Sequence, residues 1–538
     1  LPGGRIQAGS GTDRRVTLFN CFVMGRIEDS MDGIFDALKE GAITMQQGGG
    51  VGYDFSTLRP AGSRARSVGR ISSGPVSFMR IWDTMCATLL STGSRRGAMM
   101  ATLRCDHPDI EAFIEAKREK AALRHFNLSV LVTDAFMSAV RNDEPWPLVF
   151  PDGDLESAAT EATLERRWPG REEPVPCRVL RRVGARDLWR RIMRATYDYA
   201  EPGVLFIDRI NRLNNLRYRE DISATNPCGE IPLPPYGACD LGSINLTRFI
   251  EQPFTPASRF DQAAFEETVR VAVRMLDNVV DLSGFPLEKQ AAQARGSRRI
   301  GLGITGLADA LIMLGHGYGQ QPSLDFAGEV MRSLCHTAYR ASIAIAGEKG
   351  AFPFLEPAYL DSGFVRALPE DIRRGIRDRG IRNSHLVAVA PTGTISLLAN
   401  NISSGVEPVF DFSYRRGIID GEGASREYEL TDYAYRLWRE QNADGAPLPE
   451  YFVDARRLAP EKHLEMQAAV QPHVDNAISK TINVPEDFDF ERFKTLYESA
   501  YDQGLKGCTT FRANPITGEV LSPVKESTLC CSIEREAD

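Results

Sequence analysis

The sequence predicts an α/β fold in which much of the sheet is parallel. Short runs rich in β-branched and aromatic residues alternate with longer segments of helical periodicity, and few tight hairpin signals separate them. The chain has 538 residues, of which 43% are apolar and 25% are charged. That composition is typical of an ordinary soluble protein, and the length is sufficient to bury a large core.

The predicted elements follow from these two periodicities. Apolar runs of strand character lie at 15–24, 126–133, 203–211 and 384–396. Amphipathic spacing predicts helices at 29–47, 75–91, 107–120, 189–200, 261–282, 299–315 and 325–348. The glycine run at 48–60 gives a backbone that can approach a ligand closely. The acidic, proline-containing segment 152–175 is interpreted as a surface insertion, and 415–470 is polar and mixed.

Charge and cysteine content argue against several classes of protein. The net charge of −8 gives no basic field for nucleic acid. No apolar run approaches the ~18–20 residues of a membrane span, and the first residues lack a signal peptide. The ten cysteines are scattered and form no C-x-x-C pair, unlike a secreted disulfide scaffold or a structural zinc site. We expect a cytoplasmic protein that binds no nucleic acid, enters no membrane and holds no metal ion.

The stretch "SATNPCGEIPLPPYGACD", residues 223–240, is the strongest candidate for a reaction centre. In an extended chain alternate side chains share a face, so Asn226, Cys228 and Glu230 would point the same way. The residues between them are a proline and a glycine, which crowd nothing and bend easily. This places a thiol between an amide and a carboxylate. Read alone, the stretch fits a loop with an incidental cysteine equally well.

A second glycine motif, "GLGITG" at 301–306, matches the dinucleotide pattern G-x-G-x-x-G. That pattern requires a buried strand just before it, and residues 288–299 are polar and charged. We therefore interpret these glycines as allowing tight packing at the start of a helix.

Six segments together resemble the ribonucleotide reductases, and more closely the adenosylcobalamin-dependent (class II) type. They are "RVTLFNCFV", "GGGVGYDFSTLRPAGS", "EPGVLFIDRIN", "NPCGEIPLPPYGACDLGSINL", "RRIGLGITGLADALI" and "VAPTGTISLLANNISSGVEPVF". The resemblance implies a ten-stranded α/β barrel with a central finger loop, spanning residues 1–520 and followed by a tail at 521–538. It also implies that the N-terminal helical part of the family lies outside this sequence.

The resemblance assigns a role to each residue of the candidate centre. Cys228 matches the cysteine that becomes a thiyl radical, and Asn226 and Glu230 match the amide and carboxylate that flank it. Cys21 and Cys239 match the pair that is oxidised to a disulfide during turnover. In this scheme the thiyl radical takes the 3′ hydrogen of the ribose, the carboxylate acts as a general base, and the two thiols supply the electrons.

Substrate and effector sites are also implied by the resemblance. Substrate contacts match Asn20, Gly50, Pro391, Thr392, Gly393, Thr394 and Ile395, the last five forming a turn that suits phosphate. Effector contacts match Asp29, Arg95, Arg96 and Arg124. The implied partners are a ribonucleotide substrate, a deoxynucleotide or ATP effector, a thioredoxin-like reductant and a second copy of the chain.

The sequence lacks two motifs that other classes of this family use to generate or transfer the radical. The tandem tyrosines of the iron-dependent (class I) large subunit are replaced by "GCTTFR" at 507–512, and the glycyl-radical motif of the anaerobic type is missing. The resemblance therefore implies adenosylcobalamin as cofactor. Two alternatives stay open: a class I large subunit that needs a partner, and an inactive fragment that only binds nucleotides. Relatives carry a C-terminal tail with paired cysteines that re-reduce the active site, and this sequence has the adjacent Cys530 and Cys531 in that region.

Overall fold

The computed structural model describes residues 1–14, 16–63, 71–89, 98–118, 122–155, 162–419, 425–443, 445–513 and 522–523. The strands are β1 (Cys21–Val23), β2 (Gly50–Asp54), β3 (Met99–Arg104), β4 (Phe126–Val132), β5 (Pro145–Pro151), β6 (Thr163–Arg166), β7 (Val175–Gly184), β8 (Gly203–Phe206), β9 (Ala224–Thr225), β10 (Pro232–Leu233), β11 (Ala238–Asn245), β12 (Ile250–Glu251), β13 (Arg259–Phe260), β14 (Ile300–Thr305), β15 (Ser413–Ile419), β16 (Ser425–Thr431), β17 (Thr481–Val484), β18 (Gly507–Arg512) and β19 (Ser522–Pro523).

The helices are α1 (Gly4–Gly9), α2 (Met31–Gln46), α3 (Pro75–Thr88), α4 (Ile110–Ile114), α5 (Asp134–Asn142), α6 (Ala185–Tyr199), α7 (Ile207–Leu213), α8 (Gln262–Leu282), α9 (Glu288–Ser297), α10 (Leu307–Met313), α11 (Gln321–Lys349), α12 (Glu370–Arg379), α13 (Gly393–Leu398), α14 (Tyr433–Gln441), α15 (Pro460–Val470) and α16 (Phe490–Asp502). Within the ranges above, no helix is both long enough and apolar enough to cross a membrane.

Nine strands form one mixed sheet in the order β14-β11-β1-β2-β3-β4-β8-β18-β17. Strands β1, β2, β3, β4 and β8 run parallel to one another. Strand β11 is parallel to β14, and β17 is parallel to β18. The first group meets each of the other two in an antiparallel pair, β1 with β11 and β8 with β18. The predicted α/β class with a largely parallel sheet is confirmed.

An extended segment, residues 386–390, contacts both edges of this sheet, and we call it the linking segment. Val387 bridges Leu302 of β14, and Val389 bridges Ile478, which lies three residues before β17; both bridges are parallel. Backbone hydrogen bonds support the first pairing, with the Ala388 N–H 3.2 Å from the Leu302 carbonyl oxygen. On the other side the Val389 N–H donates to the Ala477 carbonyl oxygen at 3.1 Å. The segment therefore contacts both edges.

A short hairpin packs among the inner side chains of the sheet. Strands β9 and β10 pair in antiparallel fashion and flank residues 226–231, which we call the tip; the whole is the 224–233 hairpin. Its apolar residues share one buried cluster with residues of β1, β11 and the linking segment: Cys21, Val23, Ala224, Ile231, Leu233, Cys239, Leu241, Ala388 and Ala390. Alternation along the strands places a second, larger cluster between the sheet and the helices.

Most predicted elements are present, and three differ. In the range predicted as a helix, 107–120, the described residues 107–118 contain the short helix α4. Residues 203–211 are a strand only as far as Phe206, after which α7 begins. Residues 299–315, predicted to be one helix, begin with strand β14. The glycines of this strand permit close packing, because a Cβ at Gly303 would lie 2.2 Å from the Ala388 carbonyl oxygen. The tight packing inferred for "GLGITG" is therefore real, but it is packing between strands.

The segment interpreted as an insertion contributes to a separate three-stranded antiparallel sheet in the order β5-β7-β6. Trp168 is buried there against the ring of Phe150. The Arg104 guanidinium lies 4.7 Å from the centroid of the Trp168 ring. The Arg26 Nη1 atom donates to the Gly170 carbonyl oxygen at 2.7 Å. The predicted boundaries of this segment, of the catalytic domain and of the tail stay predictions.

Candidate active site

The tip of the 224–233 hairpin is a compact turn closed by its own hydrogen bonds. The Asn226 N–H donates to the Ile231 carbonyl oxygen at 3.2 Å, and the Ile231 N–H returns a bond to Asn226 Oδ1 at 2.9 Å. The Gly229 N–H donates to the Asn226 carbonyl oxygen at 3.1 Å, with Gly229 at a φ of +84° that favours glycine. These hydrogen bonds fix the conformation of the loop that carries Cys228.

Cys21 and Cys239 face each other across adjacent strands. They are register partners in the antiparallel pair β1–β11, and Cys21 is also the register partner of Gly50 on β2. Opposed residues of an antiparallel pair have Cα atoms roughly 4.5–5.5 Å apart. A disulfide needs a Cα separation of roughly 4.4–6.8 Å. The register alone therefore allows the two thiols to be joined without movement of the strands.

The amide and the carboxylate of the tip reach the first of these cysteines. Asn226 Nδ2 donates to Cys21 Sγ at 3.2 Å, and Cys21 Sγ lies 3.9 Å from Glu230 Oε1. Asn226, Glu230, Cys21 and Cys239 are all buried, whereas Cys228 is half-buried. The hairpin thus brings together the five residues predicted for the centre, with one thiol more accessible than the other two.

Burial keeps the two opposed thiols protonated. It raises the pKa of Cys21 well above its ordinary value, and the nearby negative charge of Glu230 adds to the shift. Burial also raises the pKa of Cys239 well above its ordinary value, with Asp240 as the next contribution. At neutral pH both side chains therefore carry a proton that they can give up. A thiolate nucleophile is not favoured at either position.

Asn20 and Gly50 line the same region. The Gly50 N–H donates to the Asn20 carbonyl oxygen at 2.8 Å. A Cβ at Gly50 would lie 3.2 Å from Pro227 Cγ, a tight contact that would require the proline ring to shift by a few tenths of an ångström. Asn20 is buried, and its Oδ1 atom has no hydrogen-bond partner among the described residues. A buried amide oxygen in that state is a good site for a donor from a ligand.

The chain matches one protein-family model, "Ribonucleotide reductase, barrel domain", over residues 19–511. The chain belongs to the ribonucleotide reductase family. It is 38% identical to a vitamin B12-dependent ribonucleoside-diphosphate reductase of Mycobacterium tuberculosis, over all of this chain and 73% of that protein. It is 36% identical to the protein of the same name from Thermoplasma acidophilum, over 97% of this chain and 64% of that one.

More distant reductases of another type match as well. The ribonucleoside-diphosphate reductase large subunit of Vaccinia virus is 27% identical over 95% of this chain and 70% of that protein. The B12-dependent ribonucleoside-diphosphate reductases of M. tuberculosis and T. acidophilum are more similar to this chain than this viral large subunit is, which agrees with the resemblance to the class II type.

In this reductase the predicted phosphate turn, 391–395, follows the linking segment directly. Thr392 precedes α13 with a φ of +56°. Its hydroxyl is 2.9 Å from Thr305 Oγ1 and accepts the Gly405 N–H at 2.8 Å, so this side chain is turned into the protein. Thr394 is exposed, whereas Gly393 and Ile395 are buried. Of the two threonines, Thr394 is therefore the one whose hydroxyl a ligand can reach.

The residues predicted for the effector site are only partly described. Asp29 lies just before α2, where its Oδ2 atom is 2.6 Å from Arg59 Nε. Burial raises the pKa of Asp29, and the bond from Arg59 opposes that shift. Arg124 lies between α4 and β4. Arg95 and Arg96 lie outside the described residues, as do Cys530 and Cys531.

The structure adds three contacts to the hairpin that sequence reasoning missed. Asn127 Nδ2 donates to the Pro227 carbonyl oxygen at 2.8 Å, and the Ala477 N–H donates to the Glu230 carbonyl oxygen at 2.8 Å. A Cβ at Gly52 would lie 1.9 Å from the Thr225 carbonyl oxygen. The glycine run could have pointed to Gly52. No sequence pattern marks Asn127 or Ala477.

Proposed function

We propose that the chain reduces ribonucleotides, with diphosphates as the preferred substrates, to 2′-deoxyribonucleotides by radical chemistry that depends on adenosylcobalamin. The observation that carries this proposal is the register pairing of Cys21 with Cys239 beneath a hairpin tip that holds a third thiol. The printed names of the relatives from M. tuberculosis and T. acidophilum support the cofactor and the diphosphate substrate.

The proposed frame for this chemistry is a closed ten-stranded α/β barrel. Strands β1, β2, β3, β4 and β8 form one parallel half. The other half consists of β11, β14, β17, β18 and the linking segment as tenth strand, which is supported by its parallel bridges to both edges. The 224–233 hairpin is the finger loop inside the barrel, as its shared cluster with both halves supports.

The proposed reaction begins at the tip. Cys228, as a thiyl radical, takes the 3′ hydrogen of the ribose, and Glu230 accepts the proton of the 3′-hydroxyl as general base. Asn226 holds the sugar oxygens, while its Oδ1 atom stays tied to the Ile231 N–H. The 2′-hydroxyl of the activated sugar then leaves.

The two opposed thiols complete the reduction. One thiol proton converts the departing 2′-hydroxyl into water, in keeping with the raised pKa values of Cys21 and Cys239. Together the two thiols lose two protons and two electrons and become a disulfide, while the 2′ carbon gains hydrogen in place of oxygen. Glu230 returns its proton to the 3′ oxygen, and Cys228 returns the hydrogen atom to the 3′ carbon and is ready to carry the radical again. The net change is one ribose and two thiols converted to one deoxyribose, one water and one disulfide.

The proposed substrate pocket lies between the tip and the phosphate turn. Asn20 and Gly50 would contact the sugar side of the nucleotide, and the unsatisfied Asn20 Oδ1 atom supports this role. Residues 391–395 would contact the phosphates through backbone N–H groups and the exposed Thr394 hydroxyl. Ala388 and Ala390, just before this turn, share the buried cluster of Cys21 and Cys239, which supports one continuous pocket.

The open side of the tip fits a bulky cofactor. Cys228 is half-buried, and a Cβ added to Gly229 would meet no atom within 4 Å. These two residues would form the surface against which the cofactor lies. Adenosylcobalamin bound there would supply the radical that accepts the hydrogen atom of the Cys228 S–H group and leaves a thiyl radical on Cys228.

The proposed partners follow the family. A nucleotide effector would bind near Asp29, Arg95, Arg96 and Arg124, and a thioredoxin-like protein would reduce the Cys21–Cys239 disulfide. We also propose a homodimer and a cytoplasmic location. The location is supported by the described cysteines, none of which is joined in a disulfide.

A single assay tests the proposed function. The purified chain is incubated with a ribonucleoside diphosphate, adenosylcobalamin and dithiothreitol, and deoxynucleotide is measured by chromatography. We expect turnover that disappears when adenosylcobalamin is omitted. Turnover that requires an added radical-generating protein would favour a class I large subunit. Nucleotide binding without turnover under every condition would favour an inactive fragment.

A further inference from the structure

The Asn127 side chain connects a barrel strand to the catalytic hairpin. Asn127 is the second residue of β4, where its register partner on β3 is Met100. Its neighbours Phe126 and Leu128 belong to the cluster beneath the helices, so alternation turns Asn127 to the opposite, inner face. From there Nδ2 donates to the Pro227 carbonyl oxygen at 2.8 Å. The side chain is half-buried, and the bond spans 100 residues of sequence.

The bonded carbonyl belongs to the peptide group that joins Pro227 to Cys228. Because a peptide group is planar, fixing its carbonyl oxygen also fixes the direction of the Cys228 N–H. Proline has no N–H of its own, so this carbonyl is its only backbone hydrogen-bonding group. The bonds within the turn tie residues 226, 229 and 231 to one another. The bonds that tie the tip to its surroundings include those of Asn226 to Cys21, Ala477 to Glu230, and Asn127 to Pro227. Of these, the Asn127 bond is the one made to the peptide group of Cys228.

We propose that Asn127 is a positioning residue for the Cys228 thiol, an inference that rests on the proposed radical function. Hydrogen transfer between a sulfur and a carbon atom requires close and correctly oriented partners, and a displacement of about 1 Å can cost roughly 100-fold in rate. Asn127 acts on the reaction through the Pro227 carbonyl. Cys21 and Cys239 lie on β1 and β11, which do not adjoin β4, and they keep their places without it.

Two substitutions isolate this contact. Asn127→Ala removes the donor, and Asn127→Asp keeps the shape while an ionised carboxylate repels the carbonyl oxygen. Ser129→Ala is the matched control, because Ser129 lies on the same strand and the same inner face, two residues farther along β4. Circular dichroism of all three full-length variants reports folding. If Asn127→Ala does not fold, the isosteric Asn127→Asp carries the test.

The first readout is kinetic. With adenosylcobalamin present, we expect Asn127→Ala to lower kcat roughly 10- to 100-fold while KM for the nucleotide changes less than about twofold. A substrate deuterated at the 3′ position should show a larger isotope effect in the variant than in the wild type, because hydrogen transfer to sulfur has become limiting. Ser129→Ala should match the wild type. An unchanged kcat, or a loss with an unchanged isotope effect, would overturn the proposal.

The second readout does not depend on turnover. Cys228 is half-buried and the other described cysteines are buried, so among these thiols iodoacetamide should label Cys228 first, and the Cys228 peptide is followed by mass spectrometry. We expect labelling in the apo chain to be roughly threefold faster or more in Asn127→Ala, because a tip without its tether opens more often. Equal rates in both proteins would overturn the positioning role. If labelling is faster in Asn127→Ala but the wild type reduces no nucleotide, the result supports the role of Asn127 in holding the tip and contradicts the proposed function.

Discussion

At the scale of single residues, the three thiols of the candidate site differ in burial. Cys21 and Cys239 lie inside the sheet, where burial raises the pKa of each thiol well above its ordinary value. Cys228 is half-buried on a loop whose glycine neighbour faces open space. The protected pair suits the storage of two reducing equivalents, and the accessible thiol suits exchange of a hydrogen atom with cofactor and substrate.

Replacement of Cys228 by serine should abolish reduction and leave nucleotide binding nearly intact. Serine is similar in size, so the turn should be retained, but its O–H bond is too strong for the hydroxyl to act as a hydrogen acceptor and donor in this cycle. Activity and nucleotide affinity are measured on the same preparation. Cys86→Ser, in α3, is the control: Cys86 is equally a thiol but lies in the cluster beneath the helices. Appreciable turnover by Cys228→Ser would contradict the assignment of the radical residue.

One turnover without reductant should join Cys21 to Cys239. Their register already places the Cα atoms within disulfide range, so no rearrangement of β1 or β11 is needed. The reaction is quenched under denaturing conditions, free thiols are alkylated, and peptides are identified by mass spectrometry. Chain incubated without substrate is the control, and both thiols should alkylate there. If both also alkylate fully after stoichiometric product has formed, the pairing is wrong.

At the scale of elements, the fit of the hairpin against β2 depends on Gly52. A Cβ there would lie 1.9 Å from the Thr225 carbonyl oxygen, and backbone atoms cannot yield as a flexible side chain can. Gly52→Ala should therefore push the hairpin from its place, lower the free energy of unfolding by roughly 1–3 kcal/mol and reduce kcat strongly.

The control for this substitution is Gly347→Ala. Gly347 is an exposed residue of α11, and an added Cβ would meet nothing within 4 Å. That change should raise the free energy of unfolding by roughly 0.5–1 kcal/mol, because alanine favours a helix over glycine, and leave activity unchanged. Urea unfolding and steady-state kinetics measure both variants. A fully active Gly52→Ala protein would show that the hairpin does not need this close approach.

The elements that the sequence predicted well are those whose pattern is local. The helix at 261–282 has clear amphipathic spacing and an Asp261 cap, and α8 begins and ends within a residue of that prediction. Strand β14 was missed because its glycines have low strand propensity and α10 follows at once, so the two looked like one helix. Those glycines are required by packing against β11 and the linking segment, which is information that only the tertiary structure holds.

In the candidate site too, local sequence pattern predicts local geometry but not contacts between distant residues. The spacing of Asn226, Cys228 and Glu230 suggested a shared face from local geometry alone. The pairing of Cys21 with Cys239 came from the family resemblance, because no local rule connects residues 218 positions apart. Asn127 could not be predicted at all, since a single polar residue in an apolar strand carries no signal about its partner. The pattern thus singled out Cys228 as the candidate thiol, although residues 226–231 form a turn and not the expected extended chain. Long-range register shows which other groups lie near it.

At the scale of the whole molecule, the residues of β17 and β18 are relevant to whether a second subunit could deliver the radical. A relay from a second subunit would need redox-active phenols near the tip, yet β18 carries Thr510 and Phe511 in the segment that matches the tandem tyrosines. Phenylalanine has no O–H to lose and cannot take part in proton-coupled electron transfer. Phe511 is the register partner of Asn483 on β17, so the whole edge pair lacks a phenol.

We therefore expect full activity from this chain with adenosylcobalamin, in air, without a metal-bearing second protein. Adding an iron- or manganese-loaded small subunit of a class I reductase should not raise the rate, and a chelator should not lower it. Phe511→Tyr is the informative variant: it restores one phenol on β18, and its rate should depend on adenosylcobalamin as the wild-type rate does. Activity that ignores the cofactor and appears only with the added small subunit would contradict the class II assignment. Such a result would mean that the radical reaches Cys228 by a route other than the open side of the hairpin tip.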